Sequence, residues 1–572
     1  MMSSDRTSSI LLVLLSMASV ASAASVASVP ISPISPPLSH CCSPTHGCGA
    51  SAVCLDPASH SFCTSSAANC VGKCKHVWCG NGTAGANLTV DTRKPIGNVS
   101  ENYVSWTFDL YNLHSSGSGG WNLTSPSFIA AAKAFAPAHI RLGGTAADNV
   151  TYDMQGQVGR AGAVGIPSGT LSKAKWDELC GFASKAGWTI IFGLNALHGV
   201  SSSHAVWDSS NAKELLTYTK RAGCPVVGWE CGNEPNLKNK GIFVETPTFV
   251  ATNFNALRAL AVSVYGSVGG GTAASPWIVG PDVTKGGFGF MTSFLSEVDV
   301  VPDVATWHHY YTAGTGHKVI VSDYLSPSFL DGYVASARQA QKLLADCPAC
   351  VSKRTRLWMG ETSGAGGACD GAKNVTGKFV GVFWNADKLG AAAATGHSVV
   401  CKQQYANDAQ WTPPTAVGLS VIDVTPEWWL SLIWKRLMLG AGTEVFQVAS
   451  TAGQGSTVRA YAQGNAQTGD IGVVIINLGA TNASVPIVVS SAALPSGVSG
   501  FSTFSEYALT AHPVPSDMQA TRAALNGVEL QLQPGGAPPP LPPPRSVAGH
   551  VVSAPPFSVV FAVFKVAGAS SS

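Results

Sequence analysis

At 572 residues the chain exceeds one ordinary globular core, so two or three folded units are expected. Lysine plus arginine number 34 against 32 aspartate plus glutamate, a net charge of +2, and no run of five or more basic residues occurs, which argues against a nucleic-acid or other polyanion partner. Hydrophobic residues make up 45% of the chain, too many for a disordered polymer.

The first stretch, "MMSSDRTSSILLVLLSMASVASA" at 1–23, has Arg6, an apolar run from Ile10 to Leu15, and Ala21 and Ala23 as a small-residue cleavage site. These are the three parts of a secretory signal peptide. The run is too short for a spanning helix, which needs about 20 apolar residues, and no later segment is long enough either. Seven Asn-x-Ser/Thr sites, at Asn81, Asn87, Asn98, Asn122, Asn149, Asn374 and Asn482, fit exposure to a glycosylating lumen. The expected location is secreted or extracellular, with association to a wall or matrix or residence in an endolysosomal or vacuolar compartment.

A proline and serine linker at 24–40 leads into a cysteine block at 41–79 that holds Cys41, Cys42, Cys48, Cys54, Cys63, Cys70, Cys74 and Cys79 of the 15 cysteines. In a secreted chain this density implies a small disulfide-stapled module, with the pairing open. "CCSPTHGCG" and "NCVGKC" resemble a hevein-type chitin-binding module, although two intervening cysteines break its pattern. Polysaccharide binding is one expectation there, and a structural cap or spacer is the other.

Residues 80–104 include "ANLTV" and are expected to add strands to a sandwich formed by the other chain end. From 105 to 435 short apolar runs alternate with helical stretches: "HIRLGGT", "WTIIFGLNAL", "CPVVGWECGNEP", "WIVGPDV", "DVATWHHYY", "RLWMGETS" and "HSVVCKQQ". That alternation predicts a parallel sheet with crossovers, closed as a (β/α)8 barrel whose strand ends face an active site. From 436 to 566 the helical period disappears and "EVFQVAS", "GDIGVVIINLG", "ASVPIVVS" and "FSVVFAVFKVAG" predict an antiparallel β-sandwich, followed by a tail at 567–572. "CPAC" at 347–350 reads as a local disulfide or as two unrelated pairings.

Two strand ends carry a lone carboxylate, Glu234 in "GNEP" and Glu361 in "GETS", 127 residues apart. Glycoside hydrolysis needs such a pair, one protonated as acid and one ionised as nucleophile or base. Either motif alone is as well explained by a helix cap or a salt bridge. Asn233 is placed to meet a sugar hydroxyl. In "WHHYY" neighbouring side chains face opposite ways, so His308 and His309 do not form a shared ligand pair, and no metal or other cofactor is expected.

Taken in order, "FGLNAL", "GWECGNEPNL", "GPDV", "TWHHYY", "LWMGETSGAGG", "DKLG" and "EWWLSLIWKRLMLG" closely resemble the heparanase-like proteins of glycoside hydrolase family 79 over roughly residues 80 to 566. The resemblance implies a retaining enzyme with Glu234 as acid/base and Glu361 as nucleophile. It further implies that Asn233 contacts the sugar 2-hydroxyl and that Tyr310 orients Glu361. Asp109, Thr145 and Gln403 match sugar-binding positions, and the backbone N–H groups of Gly366 and Gly367 match those that meet a uronate carboxylate. Arg141 matches a buried structural arginine near the nucleophile.

The chain departs from the family in two places that bear on substrate. Only Lys285 stands in "GPDVTKGGFGF", where animal heparanases cluster basic residues for sulfated chains, and Leu419 and Ser420 occupy the region of a uronate-touching tyrosine. Uronate recognition would then pass to another group, such as Tyr405 or Lys402, or be weaker. The reading is a retaining β-glucuronidase acting on a polysaccharide or proteoglycan glycan. The alternatives are a same-fold exo-β-glycosidase for a neutral sugar and a non-catalytic carbohydrate-binding or wall protein.

Overall fold

The computed structural model describes residues 86–110, 122–156, 169–201, 205–237, 243–412, 421–440, 442–451, 455–465, 470–490 and 503–565, with the backbone of His40–Cys42 and Val77–Cys79. Those two short strands pair antiparallel within a separate compact unit, Met1–Gly82. The disulfide framework expected at 41–79 lies outside the described side chains.

Within Thr83–Ser572 eight parallel strands close into a barrel. They are β1 (Val104–Asp109), β2 (Ala138–Gly143), β3 (Trp188–Leu194), β4 (Val226–Cys231), β5 (Trp277–Thr284), β6 (Val304–Thr312), β7 (Arg356–Ala365) and β8 (His397–Lys402). Each is followed by a helix: α1 (Pro126–Lys133), α2 (Lys173–Ala186), α3 (Ser210–Ala222), α4 (Pro247–Tyr265), α5 (Phe288–Glu297), α6 (Pro327–Ala345), α7 (Gly381–Ala394) and α8 (Pro426–Met438). The strands are buried on both faces, and so read as continuous apolar runs. Helix starts are fixed locally: the hydroxyls of Ser125, Ser172, Thr246 and Thr425 accept from backbone N–H groups of the first turn.

The strand-rich region combines both ends of this unit. Leu88–Asp91 pairs antiparallel with Thr443–Ser450 and parallel with Ala483–Ser490. The twelve-stranded sheet folds over as a sandwich, because Val473 and Ile475 share one core with Val485, Ile487 and Val552 from strands elsewhere along it. Helix α7 is buried almost all round, as an apolar helix must be when it lies between two layers. Its Asp387 is bound by Arg459 and, at 2.6 Å, by the Tyr461 hydroxyl, both from the sandwich.

Cys347 and Cys350 of "CPAC" are bonded to each other, and Cys180–Cys224 ties α2 to the segment before β4. Among the described residues no helix is long and apolar enough to cross a membrane.

Candidate active site

The C-terminal mouth of the barrel gathers polar side chains from strands that are otherwise apolar, where an enzyme of this fold builds its site. Arg141 on β2 is fully buried and organises them. Its Nε donates to Glu230 Oε2 at 2.9 Å, Nη1 to Glu361 Oε2 at 2.8 Å and Nη2 to Asn233 Oδ1 at 3.1 Å. The guanidinium curls back over Gly143, where a Cβ would collide with it. The first glycine of "RLGGT" is thus a space requirement of Arg141.

Glu361 is held from both sides, since the Tyr310 hydroxyl donates to its other oxygen at 2.5 Å. Inward aim of Glu361 depends on a β-bulge. Trp307 pairs with Met359, but His308 pairs with Glu361, so Gly360 is an extra residue in β7. Counting by twos from the inward Trp358 would point Glu361 at the helices; the bulge turns it to the barrel axis. Gly360 is the residue that fits there, because a Cβ would lie 3.0 Å from Asp282 Oδ1 and 3.3 Å from His308 Nε2.

Glu234 leaves β4 on a left-handed turn, φ 49°, with its N–H bonded to the Asp282 carbonyl at 3.1 Å. His308 joins the same two residues by side chain, Nδ1 to Glu234 Oε1 at 3.0 Å and Nε2 to Asp282 Oδ1 at 3.1 Å. Burial opposes a charge on His308, but the hydrogen bonds to Asp282 and Glu234 and the Glu361 charge outweigh it and push its pKa up to about 9. Asp282 is held below the usual carboxylate range: burial opposes this, and the Arg141 charge and the His308 contact prevail.

Ligand-capable atoms of Glu234, His308 and Glu361 lie within 4.8 Å of one another. Such a trio could in principle hold a metal ion. Here both ring nitrogens of His308 already bond carboxylates, so an ion bound to it would displace one of those bonds and a ring proton.

The structure therefore brings Asn233, Glu234, Tyr310 and Glu361 together. Asp109, at the end of β1, lies against Gly144, and Thr145 follows as an exposed residue. The Gln403 side chain is bonded to Thr107. The Gly366 N–H is already used, donating to the Thr312 carbonyl at 2.9 Å, which leaves exposed Gly367 as the donor position of that pair.

Tyr405 and Lys402 do not face the cleft, contrary to the expectation that they take over uronate recognition. In β8 Val399 and Cys401 point into the barrel, so Lys402 points out, where it is paired with Asp408 and, at 2.6 Å, with Glu427. Tyr405 is fully buried among Trp106, Phe128 and Trp188. Leu419 and Ser420 lie outside the described residues.

Sequence reasoning missed Glu230 and Asp282 and assigned His308 no part. Glu230 stood in plain view in "GWECGNEP". A charged residue inside an apolar strand of a closed barrel was the available signal.

Comparisons with known proteins bear on the family and the fold. The family described as glycosyl hydrolase family 79, N-terminal domain, matches residues 85–390. Heparanase-like protein 3 of Arabidopsis thaliana is 28% identical over 522 residues, covering 82% of this chain and 91% of that protein. Baicalin-beta-D-glucuronidase of Scutellaria baicalensis is 26% identical, covering 82% and 90%. Heparanase of Bos taurus is 28% identical, covering 66% and 73%. Among solved structures, a 4-O-alpha-L-rhamnosyl-beta-D-glucuronidase from Fusarium oxysporum superposes with a TM-score of 0.58 at 15% identity, covering 83% of this chain and 99% of that one, a likeness of fold.

Proposed function

The chain belongs to glycosyl hydrolase family 79, and from that premise we propose that it is a secreted, retaining β-glucuronidase acting on β-linked glucuronate in glycans or proteoglycans. One observation carries the retaining mechanism: oxygens of Glu234 and Glu361 approach within 4.8 Å. Retaining enzymes hold their carboxyl groups about 5–5.5 Å apart, whereas inverting enzymes leave about 6.5–9.5 Å for a water.

Glu361 is the nucleophile in this reading, since Arg141 and Tyr310 fix both of its oxygens. It attacks the anomeric carbon as the glycosidic C–O bond breaks, and Glu234 gives its proton to the departing oxygen. A water then attacks the glycosyl-enzyme bond, Glu234 takes its proton, and Glu361 leaves. Glu234 suits the donor role because its side chain, 16% exposed, reaches the cleft. The Asn233 carbonyl is occupied by Arg141 and Gly144, so its NH2 end is the one that can meet a sugar hydroxyl.

The uronate preference is supported by one relative, named as a baicalin glucuronidase. A second reading, an exo-glycosidase for a neutral sugar, is favoured by the outward turn of Lys402 and the burial of Tyr405. Assay of wild type and Glu361→Ala on an aryl β-glucuronide and an aryl β-xyloside separates them. The proposal expects glucuronide turnover with β-configured first product by NMR, absent in the variant. Xyloside turnover alone would establish the second reading, and glycan binding without turnover of either would refute hydrolysis of both sugars.

A further inference from the structure

Beneath the reacting carboxylates lies a second acidic tier that the proposed reaction does not use. Glu230 is fully buried on β4, with Oε2 on Arg141 Nε at 2.9 Å and Oε1 without a hydrogen-bond partner among the described residues. On the neighbouring strand Asp282 turns Oδ1 to His308 at 3.1 Å and to Arg141 at 3.6 Å, and its Oδ2 also lacks a partner.

The groups that face this tier come from every side of the barrel. β1 ends in Asp109, partly open to solvent; β2 gives Arg141; β3 gives Gly193, which leaves room for Glu230 Oε2. Glu234 follows β4, β5 gives Asp282, β6 gives His308 and Tyr310, β7 gives Glu361 and β8 gives Cys401. Tyr310 and Cys401 are neutral, since burial pushes both pKa values up.

Two cations, Arg141 and His308, therefore serve four carboxyls: Glu230, Glu234, Asp282 and Glu361. A buried site does not sustain two uncompensated negative charges, so two of the four hold protons. In the proposed reaction Glu234 is one, since it acts there as the acid. Asp282 touches both cations, and Glu361 has Arg141 and the Tyr310 hydroxyl. Glu230 has one guanidinium N–H. Its burial, opposed by Arg141 and reinforced by the Asp282 charge, pushes its pKa up to about 8.

We propose that Glu230 is a positioning residue that works as a neutral carboxyl. In that state it pins Arg141 through Nε and leaves the guanidinium charge to Glu361 and Asn233. When Glu230 ionises, it competes for that charge, and the nucleophile loses its orientation and its balance with the surrounding charges. Alkaline loss of activity thus originates partly below the cleft. The inference rests on the reading of Glu361 as nucleophile.

The test uses a dinitrophenyl β-glucuronide, whose leaving group departs without a proton, so that the Glu234 limb is absent from kcat/KM. Wild type should fall off above about pH 8. Glu230→Gln, which keeps the shape of the neutral acid, should stay within about threefold of wild type at acidic pH. Its alkaline limb should move up by about one pH unit or more. An unmoved limb, or loss of activity at all pH in a folded variant, overturns the proposal. Should the variant not fold, infrared titration of wild type decides: a buried protonated-carboxyl band must disappear near pH 8. Absence of that step refutes the neutral Glu230 even if no glucuronide is hydrolysed, an outcome that would separately refute the glucuronidase reading.

Discussion

Glu234 and Asp282 stand at the ends of neighbouring barrel strands, both in left-handed backbone with φ of 49° and 58°, and the N–H of the first is bonded to the carbonyl of the second at 3.1 Å. Left-handed geometry is uncommon outside glycine, and aspartate and asparagine tolerate it better than most residues. Asp282→Asn should therefore fold, while removing the anion that faces His308. The His308 pKa, raised to about 9 in part by Asp282, should drop by about one unit or more in an NMR titration. An unchanged value would show that Asp282 is not what holds the proton on His308.

Loss of the proton donor should depend on the leaving group. Glu234→Ala should lower kcat/KM by about 10²–10⁴ on an alkyl glucuronide and far less on a dinitrophenyl glucuronide, and added azide should restore turnover as a β-glycosyl azide. Equal losses on both substrates would remove Glu234 from the acid role.

Alkali should loosen the fold around the site. The His308 pKa is raised when folded, from 6.5 to about 9, so its stabilising contribution is complete below 6.5 and is lost as pH rises through 9. Glu230 acts in the same sense up to about 8. The His308 part is worth roughly 3 kcal/mol. Melting temperature should fall across this window, and His308→Gln should flatten the profile. A wild-type Tm that rises from pH 6.5 to 9 would contradict the assignment.

Gly360→Ala should damage the site from behind. The added methyl would press on Asp282 and His308, costing about 1–3 kcal/mol. It should also lower kcat more than it raises KM, read from steady-state kinetics of the folded variant.

The same bulge explains what the sequence could and could not disclose. Strand and helix alternation, the carboxylates at two strand ends and the sandwich strands at both ends of the chain follow from periodicity and turn residues, so the architecture was legible. Direction was not: the aim of Glu361 depends on one extra residue at Gly360, and a count by twos assigns the opposite face. Lys402 was misassigned for the converse reason, because its facing follows from the regular alternation of Val399 and Cys401, which a motif match ignores. Glu230 and Asp282 matter only through Arg141 and His308, contacts between strands far apart in sequence.

The two disulfides should differ in weight. Cys180–Cys224 closes 44 residues and Cys347–Cys350 only 3. Because the unfolded chain loses more freedom to the longer loop, Cys180→Ala with Cys224→Ala should cost about 2–4 kcal/mol, and the other pair much less. Denaturant midpoints of the two double variants measure the difference; equal midpoints would contradict it.

Leu88–Asp91 sits between two partners that are synthesised long after it; the neighbouring contact from Asn87 to Thr451 spans 364 residues. At about 5–20 residues per second the ribosome needs roughly 20–70 s to supply the other side. For that time a strand with bare edges waits while the barrel is made. The completed sheet is thus a receipt for full-length translation: a chain terminated early leaves an open edge for chaperones to recognise.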